Sequence, residues 1–176
     1  GSVRIYNHFV WQAAAFLDSD HDRFVRELVS LTEIPAPPFK EQKRAEVCLA
    51  LMRGFGLSDV EMDAEGNVMG LRKGTGDGPL LVVLAHLDTV FPEGTNVTVR
   101  REGTRLMAPG IGDDTRAVAM MLSLIRAMDA AGMRTAADIL FVGDVGEEGP
   151  GNLRGVRYLL QKGKYKDRVG AFIAID

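Results

Sequence analysis

The chain has 176 residues, the usual size of one domain, with 46% hydrophobic and 26% charged residues, which excludes a disordered tail. Lys and Arg number 21 against 24 Asp and Glu, a net charge of −3 that argues against nucleic acid or an anionic membrane as the main partner. A single cysteine, Cys48, excludes a disulfide framework and a cysteine-rich zinc module, and no run approaches the ~20 apolar residues that cross a bilayer.

Gly1-Ser2 reads as the cleavage scar of a fusion tag. Ile5 to Leu17 is apolar and predicts an N-terminal helical extension over 1–17, ahead of a domain over 18–176. Asp20 or Asp22 is placed to cap a second helix through Leu31, with Phe24, Leu28 and Leu31 on one face. Pro35-Ala36-Pro37-Pro38 stops it, and a third helix follows from Lys40 to Phe55. Short strands are expected at Val60–Met62 and Val68–Leu71, then a polar loop from Lys73 to Pro79. Leu80 to Ala85 is a continuous apolar run, the pattern of a strand buried on both faces.

A hairpin is predicted at Val97–Arg101 and Arg105–Met107, and a long apolar helix from Asp114 to Ala131. Asp138–Val142 and Ala171–Ile175 read as buried strands, separated by a helix at Leu153–Gln161. Strand and helix alternate, so the fold class is α/β: a mostly parallel twisted sheet flanked by helices.

In such sheets, ligands bind beyond the carboxyl ends of the strands. Those ends carry His86 and Asp88, the Asp113-Asp114 pair, Asp144 followed by Glu147-Glu148, and Asp176. Several carboxylates brought together repel unless a cation joins them, and a divalent metal suits the task. His86 is the natural nitrogen ligand. Asp88, two residues on along extended chain, lies on the same side and is placed to accept the other imidazole N–H. Adjacent carboxylates such as Glu147 and Glu148 point in different directions, so one can hold metal while the other serves as general base. Each feature alone has a plainer explanation: a satisfied core histidine, a helix cap or a solvated acidic loop. Their order at successive strand ends is what points to a site.

Ala85-His86-Leu87-Asp88-Thr89-Val90, Gly110-Ile111-Gly112-Asp113-Asp114, Gly146-Glu147-Glu148-Gly149 and Ile175-Asp176 resemble the M20 metallopeptidase family. The resemblance runs from Ile34-Pro35-Ala36-Pro37 onward and implies a zinc-peptidase-like catalytic domain without its lid domain. It implies two zinc ions, with cobalt or manganese as substitutes. His86 and Asp176 would hold the first, Asp113 would bridge, Glu148 would hold the second, and Glu147 would be the general base. Asp88 would orient His86, and the Asp113–Asp114 peptide would be cis. Aspartate at position 176 tilts the expected substrate toward small peptides with a free amino end, with N-acyl amino acids the alternative. Thr115 and Arg116 depart from the lysine and glycine that often follow the aspartate pair. The family's last metal-binding histidine lies downstream of the lid, and neither His8 nor His21 can replace it. The expectation is an incomplete catalytic domain, weakly active or inactive alone unless a second chain completes the site or a homodimer forms through the lid. A non-catalytic metal- or partner-binding remnant is the rival reading. Cysteine usage suits the cytoplasm, and a removed leader would place the protein in the periplasm or outside the cell.

Overall fold

The computed structural model describes residues 2–76 and 78–176; Gly1 of the expected scar and Asp77 of the expected loop lie outside them. Helices α1 (Ser2–Thr32), α2 (Gln42–Met52), α3 (Arg116–Ala130) and α4 (Arg154–Gln161) surround a sheet. The sheet is built from β1 (Ser58–Met62), β2 (Val68–Arg72), β3 (Leu80–His86), β6 (Ile139–Asp144) and β7 (Val169–Ala174). Strands β4 (Arg100–Glu102) and β5 (Arg105–Met107) form the expected hairpin apart from it. Among the described residues no helix is long and apolar enough to cross a membrane.

Sheet order is β1-β2-β6-β3-β7. The expected parallel arrangement holds for β6-β3-β7, whereas β1 and β2 join antiparallel, so the sheet is mixed. The cause is the short Asp63–Asn67 turn, which can only return β2 alongside β1 antiparallel. Alternation along β3 sends Val83 and Ala85 into a core with α2 and α3, and Leu80, Val82 and Leu84 into a second core with Leu159 of α4. Burial on both faces explains why β3 shows no polar alternation. β7, expected to be buried, is instead an exposed sheet edge with Phe172 and Ile173 open.

The two expected N-terminal helices are one. No glycine or proline interrupts residues 5–31, and Asp20, expected as a possible cap, is buried in mid-helix. It takes hydrogen bonds from Arg126 Nη2 (2.7 Å) and Ser123 Oγ (2.7 Å) of α3, while Arg126 Nη1 reaches Glu27 at 2.5 Å. Four polar side chains thus fasten α1 onto α3, beside Ala13 and Ala127. Farther toward the N-terminus, Val10 and Trp11 are exposed.

Burial alone would raise the Asp20 pKa, but the Arg126 and Ser123 hydrogen bonds outweigh it and hold the carboxyl below its usual range. A depressed folded-state pKa adds stability above the unfolded value, about 4, that is lost as pH falls further. Arg126→Ala takes the principal partner from two buried carboxylates, leaving only Ser123 to Asp20 and Arg23 to Glu27, and is expected to cost about 3 kcal/mol at pH 7 in urea unfolding, with the cost shrinking toward pH 3. A loss under about 1 kcal/mol at pH 7 would show that the cluster does not hold the helix.

Candidate metal centre

Strand β3 ends in His86 and β6 in Asp144, and the parallel register pairs these two residues. His86 is 5% exposed and Asp144 fully buried. The Nδ1 of His86 lies 3.0 Å from the main-chain oxygen of Asp88. A carbonyl oxygen only accepts, so Nδ1 carries a proton and Nε2 faces outward, 3.0 Å from Asp113 Oδ1. Expectation and structure differ at Asp88. Its carboxylate stands 3.4 Å from Nδ1, and its principal partners are the backbone N–H groups of Glu147 (3.0 Å) and Glu148 (2.9 Å). The ring is set by the Asp88 backbone, while the Asp88 side chain sets the acidic turn.

Asp113 and Asp114 lie in a π-type turn, Ile111–Thr115, before α3; both leave helical geometry and their shared peptide is cis, as the resemblance implied. The turn throws the two carboxylates apart. Asp113 is exposed, whereas Asp114 is fully buried and its Oδ2 accepts the His86 N–H at 3.3 Å. Thr115 donates to Gly110 O (2.6 Å) and receives Thr32 Oγ1 from the end of α1 (2.9 Å).

The acidic turn after β6 is framed from three sides. Asn67 accepts the Val145 N–H (3.1 Å) and donates to Gly155 O (3.0 Å). Arg154 pairs with both oxygens of Glu41 (2.8 Å each) and with Glu65 (3.1 Å). Gly146 has a positive φ of 64°, and a Cβ there would fall 2.0 Å from Arg154 Nη1, so glycine is required where the chain turns. On the other side, Arg44 of α2 is fully buried and donates to the carbonyls of Leu87 (2.7 Å) and Ile34 (2.6 Å). Burial lowers its pKa to about 10, with Asp88 opposing.

These frames bring ligand atoms of His86, Asp113 and Glu148 within 4.8 Å of one another. Glu147 and Asp176 stand outside that close group. Asp176 follows β7 at the same end of the sheet, where the Ile175 N–H bonds Leu84 O (2.8 Å), and its charge helps raise the Asp114 pKa. Asp144, Arg44, Asn67 and Arg154 were not assigned from sequence. Only Asp144 carried a signal, an acidic residue closing an apolar strand.

The electrostatics fit a cation. Burial pushes the Asp144 and Asp114 carboxyls each up to about 7, against the pull of His86. One oxygen of Asp114 and both of Asp144 have no hydrogen-bond partner. Burial would lower the His86 pKa, but hydrogen bonding to Asp88 and the charges of Asp114, Asp88 and Asp144 push it up to about 10. Glu148 is also raised, by burial first and then by Asp113 and Glu147. One imidazole and a ring of crowded oxygens form a mixed nitrogen–oxygen donor set suited to zinc or a similar divalent ion.

Residues 82–176 match the family model of peptidase family M20/M25/M40. Among curated proteins, a LysW-lysine/LysW-ornithine hydrolase, so named in Pyrococcus abyssi, is 32% identical over 128 residues, 73% of this chain and 34% of its own length. The chain therefore spans about a third of the length of the curated relatives it matches. Among solved structures, the di-peptidase Dug1p of Saccharomyces cerevisiae aligns with TM-score 0.76 and 16% identity, over 96% of this chain and 41% of that one. The Bacillus subtilis protein YXEP, described as a dinuclear metal-binding peptidase, aligns with TM-score 0.64 and 20% identity, over 89% and 43%.

An imidazole protonated in the metal-free site must give up its proton to bind metal through Nε2. Zinc titrated at pH 8 in buffers of differing ionisation heat is expected to release about one proton per first ion bound, and the His86→Asn variant to release none. Proton-neutral binding by the unaltered protein would show that His86 is neutral before the metal arrives, and zinc bound as tightly by His86→Asn as by the unaltered protein would exclude His86 as a ligand.

Proposed function

This chain belongs to peptidase family M20/M25/M40, and on that premise we propose that its metal centre serves hydrolysis of a peptide or amide bond in small peptides. The observation that carries the reading is the meeting of His86, Asp113 and Glu148 within 4.8 Å, at the sheet end where three separate chain segments converge. In this reading His86, Asp113, Glu148 and Asp176 would hold the metal, as the family resemblance implies. Zinc is the ion the donor set suits best. When bound, the ions supply a polarised scissile carbonyl and a water acidic enough to lose its proton near neutral pH.

The remaining work falls to the chain's own residues. Glu147, next to Glu148 in the chain and outside the close ligand group, takes the water's proton on its carboxylate and returns it to the leaving amine, so the proton count closes over one turnover. Its backbone is fixed by the Asp88 carboxylate, which keeps the base at constant distance from the ligands. Asp88 also holds the Nδ1 side of His86 and leaves Nε2 free to ligate.

A second reading, cleavage of an N-acyl amino acid, is favoured by the name of the Pyrococcus relative, a hydrolase of LysW-lysine and LysW-ornithine. It uses the same residues in the same roles. The cytoplasm is the proposed location, with a single buried cysteine, Cys48, in keeping with it.

Glu147→Gln keeps the shape of the turn and removes the base. The zinc-loaded variant is expected to retain its metal content and to lose about 10²- to 10⁴-fold in kcat on a cleaved peptide. Unchanged kcat at full metal content would remove Glu147 from the mechanism.

A further inference from the structure

A cleft of about 480 Å³ opens directly beside Glu148. Its walls are Pro37 and Pro38 from the loop after α1, Val90 and Pro92 from the segment after β3, and Pro150 from the turn after Glu148. In the sequence Pro37 and Pro38 read only as part of a helix stop. In the fold the prolines come together from three distant parts of the chain. Hydrogen bonds set the walls in advance: Lys40 N–H to Pro37 O (2.9 Å), Thr89 N–H to Ala36 O (3.0 Å) and Gly151 N–H to Glu148 O (2.8 Å).

The chemistry of the walls is restrictive. Proline has no N–H, so four proline rings present apolar faces without backbone donors. Val90 adds an exposed apolar side chain, 59% accessible, that no protein neighbour covers. Two charges stand at the rim, Lys40 and Glu93, and they are paired with each other. Glu148 is taken up by the ligand group. An ionised side chain entering the cleft would therefore lose water and find no free counter-charge. A branched aliphatic or aromatic side chain would bury apolar surface against rigid rings whose ordering is already complete.

We propose that this proline-walled cleft is a specificity subsite, receiving an uncharged apolar side chain from the substrate residue next to the scissile bond. The inference rests on the hydrolytic reading above. A peptide whose carbonyl lies at the ligand group has a neighbouring side chain about one residue away, and Glu148, a member of that group, also lines the cleft. The subsite separates peptides by side chain, which the metal centre cannot do.

The test is a comparison of kcat/KM on short peptides that differ only in leucine, glycine, lysine or glutamate at either side of the cleaved bond. Zinc-loaded protein is expected to prefer leucine over glycine by about tenfold or more at one of the two positions, with lysine and glutamate no better than glycine. Val90→Trp, which fills the cleft from an exposed position, is expected to lower that leucine-to-glycine ratio at least fivefold, chiefly through KM, a change on the order of one hydrophobic contact. An unchanged ratio in the variant, or a wild-type preference for lysine or glutamate, overturns the subsite and leaves the hydrolytic reading standing. No hydrolysis of any peptide counts against the hydrolytic reading, and the cleft is then judged by the binding comparison that follows. A second readout needs no metal: leucinamide added to metal-free protein is expected to shift the Val90 methyl resonances more than lysinamide does. Equal shifts, or none, overturn the assignment.

Discussion

Asp88 has no solvent to face, and its two oxygens point at two backbone N–H groups on a different strand's turn. Burial would raise its pKa, but the hydrogen bond with the His86 ring, followed by those from the two backbone groups, holds the carboxyl below its usual range. The same residue's carbonyl takes the Nδ1 proton of His86. One residue thus ties the end of β3 to the turn after β6, and the imidazole on one side keeps a fixed relation to the two glutamates on the other. Remove the charge and both halves of the centre lose their common reference.

Around that tie, two arginines convert loops into fixed walls. Arg44 satisfies carbonyls of Ile34 and Leu87, which have no sheet or helix partner of their own. Arg154 spans from α4 to Glu41 and Glu65. Both arginines use the guanidinium fork, which a lysine would not reproduce. The price of collecting acids at one sheet end appears at Asp114 and Asp144, whose buried oxygens lack partners in the bare protein. A site designed for stability alone would not leave them so, and a divalent charge at this point relieves the repulsion that burial creates.

Much of this was legible in the sequence where chemistry is local. Period-two burial and the double-sided apolar run placed β3 and β6, and the acidic residues closing those strands placed the site; His86, Asp113 and Glu148 do come together. What could not be read was the choice of distant partners. Asp20 looked like a helix cap because Asp before an apolar periodic stretch usually is one, yet Arg126, more than a hundred residues away, claims it and the helix runs through. The role of Asp88 was anticipated in kind but not in atom, since backbone acceptors leave no trace in composition. The exposed edge at β7 and the antiparallel half of the sheet likewise depend on neighbours, not on the strand's own residues.

The parallel pairing of His86 with Asp144 has one more consequence. A strand alternates faces at every residue, so adding or deleting a single residue in β6 would turn Asp144 to the opposite core and displace Glu147 and Glu148 from the Asp88 oxygens together. Substitution at any one of these positions alters a charge or a volume. A change of length between Ile139 and Glu148 alters the address of every group beyond it. At this end of the sheet the residue count is therefore held by geometry as firmly as the identity of any single group.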